Sequence, residues 1–590
     1  MNILGIHDGH NSSACILSSG KIIIAIQEER LQRIKNYWAI PVKTIQACLD
    51  YAGLKKQDLD CITVGTLNQT TKVNGYISKN HYMGYMKKLL DSDFSFREYL
   101  NIYRRRFLYY ISKENYISGL KKQGEIIRRE IYTNLFPNMA ADKIYFIDHH
   151  MSHFATAAFG GKFFGRKKYL VFTCDGQGDG RCATVHLIDT DGSITLLSNI
   201  KDNHSVATLY AMVTAIMGFT VHEHEYKIMG MAPYAKRERS EEIGNMFLDL
   251  FIWNNGDWLI KPEINRMVDV YEKPLADKIK EIFKYNRFDD ICGGIQYAFE
   301  CILLKWISYY TDKYEIDTVA LAGGAFMNVK ANMLISELPQ VKDMFVFPSC
   351  GDETIAIGAA MYQHFSLTNN PPAAIENVYW GKNYGSDEIE AALRSLELRG
   401  FRFDAKKVEN IEREIAILLS NMGIVARFKG RSEFGARALG NRSILAHPSE
   451  HRNVIIINDM IKQRDFWMPF AASILDYRIS DYLINPNNIE SPFMIMAFRG
   501  GRKIDELCAC SHPKDHSVRP QVVTKAANPS YYELLKHFEK ITSIGGILNT
   551  SFNLHGYPLV ETPEDALDVF FKSGLKYLAL EDYMVIKNQS

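Results

Sequence analysis

The chain has almost no net charge: 69 lysines and arginines against 68 acidic residues leave +1 over 590 residues. The molecule as a whole therefore has no electrostatic preference for nucleic acid or an anionic membrane. It also lacks a bilayer-spanning run. The longest stretch free of acids, lysine, arginine and histidine, Ser205 to Val221, falls short of the roughly 20 residues a span needs and contains threonines and a tyrosine, so it predicts a buried helix. Met1 leads straight into a strand-like segment with no basic leader, and a cytoplasmic location is expected. Paired cysteines are missing too. The ten cysteines fall singly through apolar segments apart from Cys508-Ala509-Cys510 with His512 nearby, and nothing supplies the second half of a zinc site. They read as reduced, buried thiols.

The length exceeds what one core supports, so two or three domains are expected. A repeat organises the first. Asn2 to Ile6, a turn at Asp8-Gly9-His10-Asn11, Ser13 to Leu17 and Gly20 to Gln27 are matched by Tyr169 to Thr173, a turn at Asp175-Gly176-Gln177-Gly178, Cys182 to Ile188 and Ile194 to Asn199. Asp-Gly makes hairpins on its own account, but the matched order points to a duplicated α/β domain whose facing turns hold nucleotide phosphates. That organisation resembles the actin, hexokinase and sugar-kinase superfamily.

The stretch Phe146 to Phe159 reads as a buried strand end opening into a helix. His149 and His153, four apart, share one helix face and can hold one cation, while His150 points elsewhere. The pair also suits helix capping; as metal ligands they need carboxylates from afar, and Asp175 and Asp352, each in a turn after an apolar strand, are the candidates. Thr70 to Asn138, with Arg104-Arg105-Arg106, reads as inserted helices, and its interleaved acids favour a solvated face over a nucleic-acid patch. Glu225 to Pro233 reads as a polar loop in which Lys227 can meet a phosphate. Gly323-Gly324 after the strand Thr318 to Ala322 lets backbone amides approach a ligand, with Asn328 following on a helix.

Asn369-Asn370-Pro371-Pro372 marks a boundary. The expected division is 1–370, with an insertion at about 70–138, and a second α/β domain over 377–590. Its densest stretch is a loop after the strand Ile424 to Phe428 carrying Lys429, Arg431, Arg437 and Arg442, and four cations so close are costly unless an anion sits among them.

These segments together resemble the NodU/CmcH-type O-carbamoyltransferases. In the first domain the likeness rests on Gly5 to Ala14, Gln27-Glu28-Glu29-Arg30 with Arg33-Ile34-Lys35, the His149/His153 pair, Glu225 to Pro233, Gly323 to Asn332 and Gly351-Asp352. In the second it rests on Gly430 to Leu445, Ile461 to Asp465, Arg519-Pro520-Gln521 and Leu548 to Asn553. The resemblance implies a first domain similar to tRNA threonylcarbamoyl transferases and a YrdC-like second domain. It implies phosphate and nucleotide roles for Arg437, Lys462, Arg519, Asn549 and Ser551, metal ligation by His149, His153, Asp175 and Asp352, and a base at His10. The second domain would make carbamoyl-adenylate from carbamoyl phosphate and ATP with Mg2+, and the first would pass the carbamoyl group to a hydroxyl acceptor. Two histidines and two carboxylates suit Fe2+, Zn2+ or Mn2+, and the family suggests iron. The sequence also admits a homodimer.

The chain departs from the family's pattern. Met468 stands at an expected arginine and Lys429 at an expected glutamine, so Lys429 is expected to compensate; Ala436 and Ala472 replace prolines, and Asn11 replaces an aspartate after His10. Two other readings share these features: a tRNA threonylcarbamoyl-adenylate enzyme, disfavoured by the neutral charge, and a nucleotide-binding protein that has lost the first half-reaction, which Met468 permits.

Overall fold

Asn2–His7 (β1) reads as an unbroken apolar run because all but its first residue are buried, the pattern of a strand covered on both faces. In the computed structural model, which describes residues 1–67, 125–264, 273–462 and 465–588, β1 pairs antiparallel with Ser13–Ser18 (β2) and parallel with Cys61–Gly65 (β4). With Lys21–Gln27 (β3) and Ile144–Ile147 (β5) the sheet order is β3-β2-β1-β4-β5.

The second sheet repeats this order. Tyr169–Gly178 (β6), Arg181–Ile188 (β7) and Ile194–Lys201 (β8) form an antiparallel meander. A small hairpin follows, Phe251–Asn254 (β9) with Asp257–Ile260 (β10). Thr318–Ala322 (β11) and Asp343–Val346 (β12) then add in parallel, giving β8-β7-β6-β11-β12. The turn expected at Asp175 to Gly178 is not there: β6 runs through it with an irregularity between Cys174 and Gly178, and the chain reverses at Asp179-Gly180, both at positive φ. Two consecutive left-handed residues match the right-handed twist of the flanking strands, as a tight hairpin requires.

Most of the expected insertion, 68–124, lies outside the described residues, including Arg104 to Arg106; residues 125–135 are helical. Glu225 to Pro233 is a helix, Glu225–Met231, rather than a loop. The stretch expected to be a buried helix is one, Val206–Ile216. No helix among the described residues is long and apolar enough to cross a membrane. All ten cysteines are free, and eight are buried.

The chain divides into two compact units, Met1–Ile23 with Asn36–Ala374 and Ile24–Lys35 with Ile375–Ser590. Ile24–Lys35 thus departs from the expected division, for a physical reason: Arg30 donates to the Gly435 carbonyl at 2.7 Å and pairs with Glu561 at 3.5 Å, both side chains buried, and Arg33 pairs with Asp565 at 3.3 Å. The second unit is α/β, built on eight strands: Phe403–Lys407 (β13), Val425–Phe428 (β14), Arg442–Ala446 (β15), Ala471–Leu475 (β16), Pro520–Val523 (β19), Gly546–Ser551 (β20), Tyr577–Leu580 (β21) and Tyr583–Lys587 (β22). Their order is β13-β22-β21-β14-β15-β20-β16-β19, and Leu483–Ile484 (β17) with Arg499–Gly500 (β18) form a separate pair. Helices Ile411–Ser420 and Pro529–Thr542 bury Ile415, Leu419, Leu534 and Phe538 against Val425, Leu445 and Ile547 of this sheet.

Candidate functional site

The helix His149–Gly160 begins where β5 ends, and its start is fixed from both sides. Asp148 caps it, accepting from Met151 N at 3.0 Å, and the Asp179 carboxylate accepts from His149 N at 2.8 Å. Carboxylates satisfy orphan donors and suit the positive end of the helix dipole. The i, i+4 spacing then puts His149 and His153 side by side, ring centroids 4.8 Å apart.

Asp175 on β6 and Asp352, at the start of the turn after β12, complete a cluster with ligand atoms within 4.8 Å of one another. His153 Nε2 lies 2.9 Å from Asp175 Oδ2 and 3.8 Å from Asp352 Oδ1; His149 Nε2 lies 3.6 and 3.7 Å from the same atoms. Burial disfavours a charged His149, but Asp352 and Asp175 outweigh it and raise its pKa to about 9. The same carboxylates raise His153 against its burial, and the two imidazoles hold Asp175 well below the usual carboxylate range. Two imidazoliums and two carboxylates sum to zero, so one divalent cation replacing the two protons leaves the charge unchanged. The buried His149 Nε2 makes no hydrogen bond, and the donor set suits a transition metal. The residues fit such an ion.

Glycines make the close approach feasible. A Cβ on Gly178 would lie 2.2 Å from the His149 ring. Gly323, at φ 101°, would put a Cβ 2.2 Å from the Cys174 carbonyl, and Gly324 N donates to Asp175 Oδ2 at 3.2 Å. Gly323-Gly324 therefore serves a ligand of the cluster as well as a strand-to-helix turn. Asn328 does not face a ligand: it caps Val329–Ser336 and exchanges amide hydrogen bonds with Gln296. Lys227 lies over the Phe219 ring, 5.1 Å from its centroid.

The two matched aspartates have different fates. Asp175 joins the cluster, whereas Asp8, which opens the other of the two turns expected to hold nucleotide phosphates, is sealed in a buried ion pair with Arg128. His10, half-buried in the β1–β2 turn, has Trp38 edge-on at 5.9 Å and His222 at 5.1 Å between ring centroids. Burial, then the His222 imidazole, lower its pKa to about 3, leaving a neutral ring; Asp352 and Asp175 oppose that shift. His150 indeed points away, its Nε2 donating to the Arg181 carbonyl and its Nδ1 meeting Thr173.

In the second unit the cationic loop does not converge on one anion. Lys429 Nζ is 2.5 Å from Asp582 and 3.9 Å from Glu581. Arg431 donates to the carbonyls of Trp380 and Gly381, and Arg442 to those of Lys429 and Gly430 while stacking on Phe428. The charge of these three is answered here by carboxylates, carbonyls and an aromatic face. The remainder gather around β20. Lys462, buried, donates to Ser551 Oγ at 3.1 Å and to the Ser551 and Asn553 carbonyls at 2.6 and 3.0 Å. Asn549, two residues before Ser551 and so on the same face, donates to the carbonyl of Ala438 beside Arg437, while its buried Oδ1 makes no hydrogen bond. Register sets Ala471 opposite Asn549 and Ala472 opposite Pro520, so Arg519 lies level with Asn549, one strand beyond β16. Met468 is buried.

Sequence reasoning missed Glu433, a buried carboxylate whose Oε1 accepts from Leu439, Asn441 and Arg442 backbone N–H groups and so shapes the loop bearing Arg437. It also missed Thr66, which touches the metal-ligand candidate His149, and Asp179. An acid inside a cation-rich loop, and the second aspartate of Asp-Gly-Gln-Gly-Asp-Gly, were the available signals.

Family models described as carbamoyltransferase N-terminus and carbamoyltransferase C-terminus match residues 2–361 and 416–587. The chain is 29% identical to nodulation protein NolNO of Sinorhizobium fredii, over 98% of this chain and 79% of that protein. It is 30% identical to an uncharacterized protein of Methanocaldococcus jannaschii over 99% of each. It is 28% identical to the 3'-hydroxymethylcephem-O-carbamoyltransferase of Amycolatopsis lactamdurans over 44% of this chain and 47% of that one.

Proposed function

The chain belongs to the carbamoyltransferase family, and on that premise we propose that it moves the carbamoyl group of carbamoyl phosphate, through carbamoyl-adenylate, to a hydroxyl of a small molecule or glycan. The observation that carries the reading is the cluster of His149, His153, Asp175 and Asp352 in the same unit as a neutral His10. In this reading the first unit is an actin/hexokinase-like transfer domain, supported by its two sheets of matching order, and the second is YrdC-like.

The second unit hydrolyses carbamoyl phosphate to carbamate and phosphate, and carbamate attacks ATP, accompanied by Mg2+, to give carbamoyl-adenylate and pyrophosphate. Lys462 supplies a buried positive charge at the end of β20, Arg437 and Arg519 add planar donors for phosphate oxygens, and Asn549 Oδ1 offers a free acceptor. In the first unit His10 takes the proton of the acceptor hydroxyl as it attacks the carbamoyl carbon and AMP leaves. Burial holds the ring neutral, so a ring nitrogen at physiological pH carries a lone pair that can meet the hydroxyl. The four-ligand cluster would hold Fe2+, or Zn2+ or Mn2+, whose chemistry is Lewis-acid polarisation of a carbonyl. Keeping both steps inside one protein suits intermediates that water destroys.

Purified protein incubated with ATP, Mg2+, carbamoyl phosphate and a library of hydroxyl compounds tests the reading by mass spectrometry. A product gaining one carbamoyl group, only when both co-substrates are present, is expected. Adenylylated products, or transfer without ATP, would contradict it.

A further inference from the structure

The buried Arg128 guanidinium sits among groups that belong to both halves of the first unit's site. Its Nε and Nη2 grip the Asp8 carboxylate as a fork at 3.1 and 2.8 Å, with both side chains almost wholly excluded from water. Tyr132, one helical turn on, donates to the same carboxylate at 2.9 Å. Nη1 donates to the Thr66 carbonyl at 2.5 Å and Nη2 to that of Gly65 at 3.3 Å.

Asp8 opens the turn that carries His10, and the buried His7 beside it bonds through Nε2 to the His10 carbonyl at 2.9 Å. Thr66 holds a left-handed conformation, φ 75°, which is costly for a β-branched residue and persists only where its surroundings impose it. The Arg128 bond to its carbonyl and the Asp179 bond to the next amide, Leu67 N at 2.8 Å, are such an imposition. In that conformation Thr66 Oγ1 lies 3.3 Å from His149 Nδ1. A histidine that binds a metal through Nε2 carries its proton on Nδ1, and an acceptor there fixes tautomer and ring orientation.

We infer that Arg128 is a positioning residue that sets the metal-ligand His149, through Thr66, and the turn bearing His10, through Asp8. One cation thereby ties the two halves of the transfer site in register. The inference rests on the metal reading above but not on the identity of the reaction.

Co2+ titration of metal-free protein, followed by its visible absorption, is the test, with a thermal melt alongside to report folding. Arg128→Met is expected to weaken Co2+ binding by about ten- to a hundredfold and to alter the visible bands, with Thr66→Val giving about tenfold. Arg128→Lys, which keeps the charge and loses the fork, should stay nearer to Arg128→Met than to wild type. Should Arg128→Met not fold, Thr66→Val decides, since it removes a single hydroxyl. Folded variants with wild-type affinity and spectrum overturn the inference alone. A wild-type protein that takes up no Co2+ overturns it together with the metal reading.

Discussion

At the scale of single residues, His149 and His153 were legible because i, i+4 spacing is a backbone property, and Asp175 because it closes the apolar run Tyr169 to Cys174, although it proves to lie within β6 and not in a turn after it. The pairing of Lys429 was not legible for an equally physical reason: its partner Asp582 lies about 150 residues further along the sequence, and no local pattern shows it. His153→Ala should lower bound transition metal from stoichiometric to a small fraction by elemental analysis, whereas equal occupancy would remove His153 from the ligand set. Lys429→Gln should leave the Michaelis constant for carbamoyl phosphate within about threefold, because a partly exposed pair is worth roughly 0–1 kcal/mol and faces carboxylates already. A steep rise would restore Lys429 as the substitute for the arginine missing at Met468. For His10 the sign is set by a lowered pKa of about 3. The ring is neutral above that value, so the transfer rate should carry no inflection from His10 between about pH 5 and 8. An acid limb that appears there and vanishes in His10→Ala would contradict the burial argument.

At the scale of elements, apolar runs and turn residues gave strands β1 to β3 and β6 to β8 in order, and Gly323-Gly324 gave the strand-to-helix turn. The helix Glu225–Met231 was hidden by Gly230 and Pro233, which read as loop punctuation although Pro233 falls just past the helix end. The displaced hairpin has a clearer lesson. Gly176 and Gly178 look like turn residues, but Gly178 is glycine because the His149 ring occupies the space of its Cβ. Gly178→Ala should therefore push His149 out of the cluster and lose metal, at a stability cost on the order of 1–3 kcal/mol, readable as a lowered melting temperature and reduced metal content in one preparation. Full metal content in a folded Gly178→Ala protein would show that the ring has room to move.

At the scale of the whole molecule the duplication was visible in the matched Asp-Gly order, and the sheets carry it further: β3-β2-β1-β4-β5 and β8-β7-β6-β11-β12 are the same topology twice. Hidden from sequence was the placing of Ile24–Lys35 with the second unit, since that depends on Arg30 and Arg33 meeting partners more than 400 residues away, as Gly435 is by 405. The central claim is that adenylate formation belongs to the second unit and carbamoyl transfer to the first. Exchange of labelled pyrophosphate into ATP tests it without knowing the acceptor. Wild type should catalyse exchange only when carbamoyl phosphate is present, His10→Ala should exchange at the wild-type rate, and Lys462→Ala should show none; loss of exchange in both variants, or exchange independent of carbamoyl phosphate, would contradict the account.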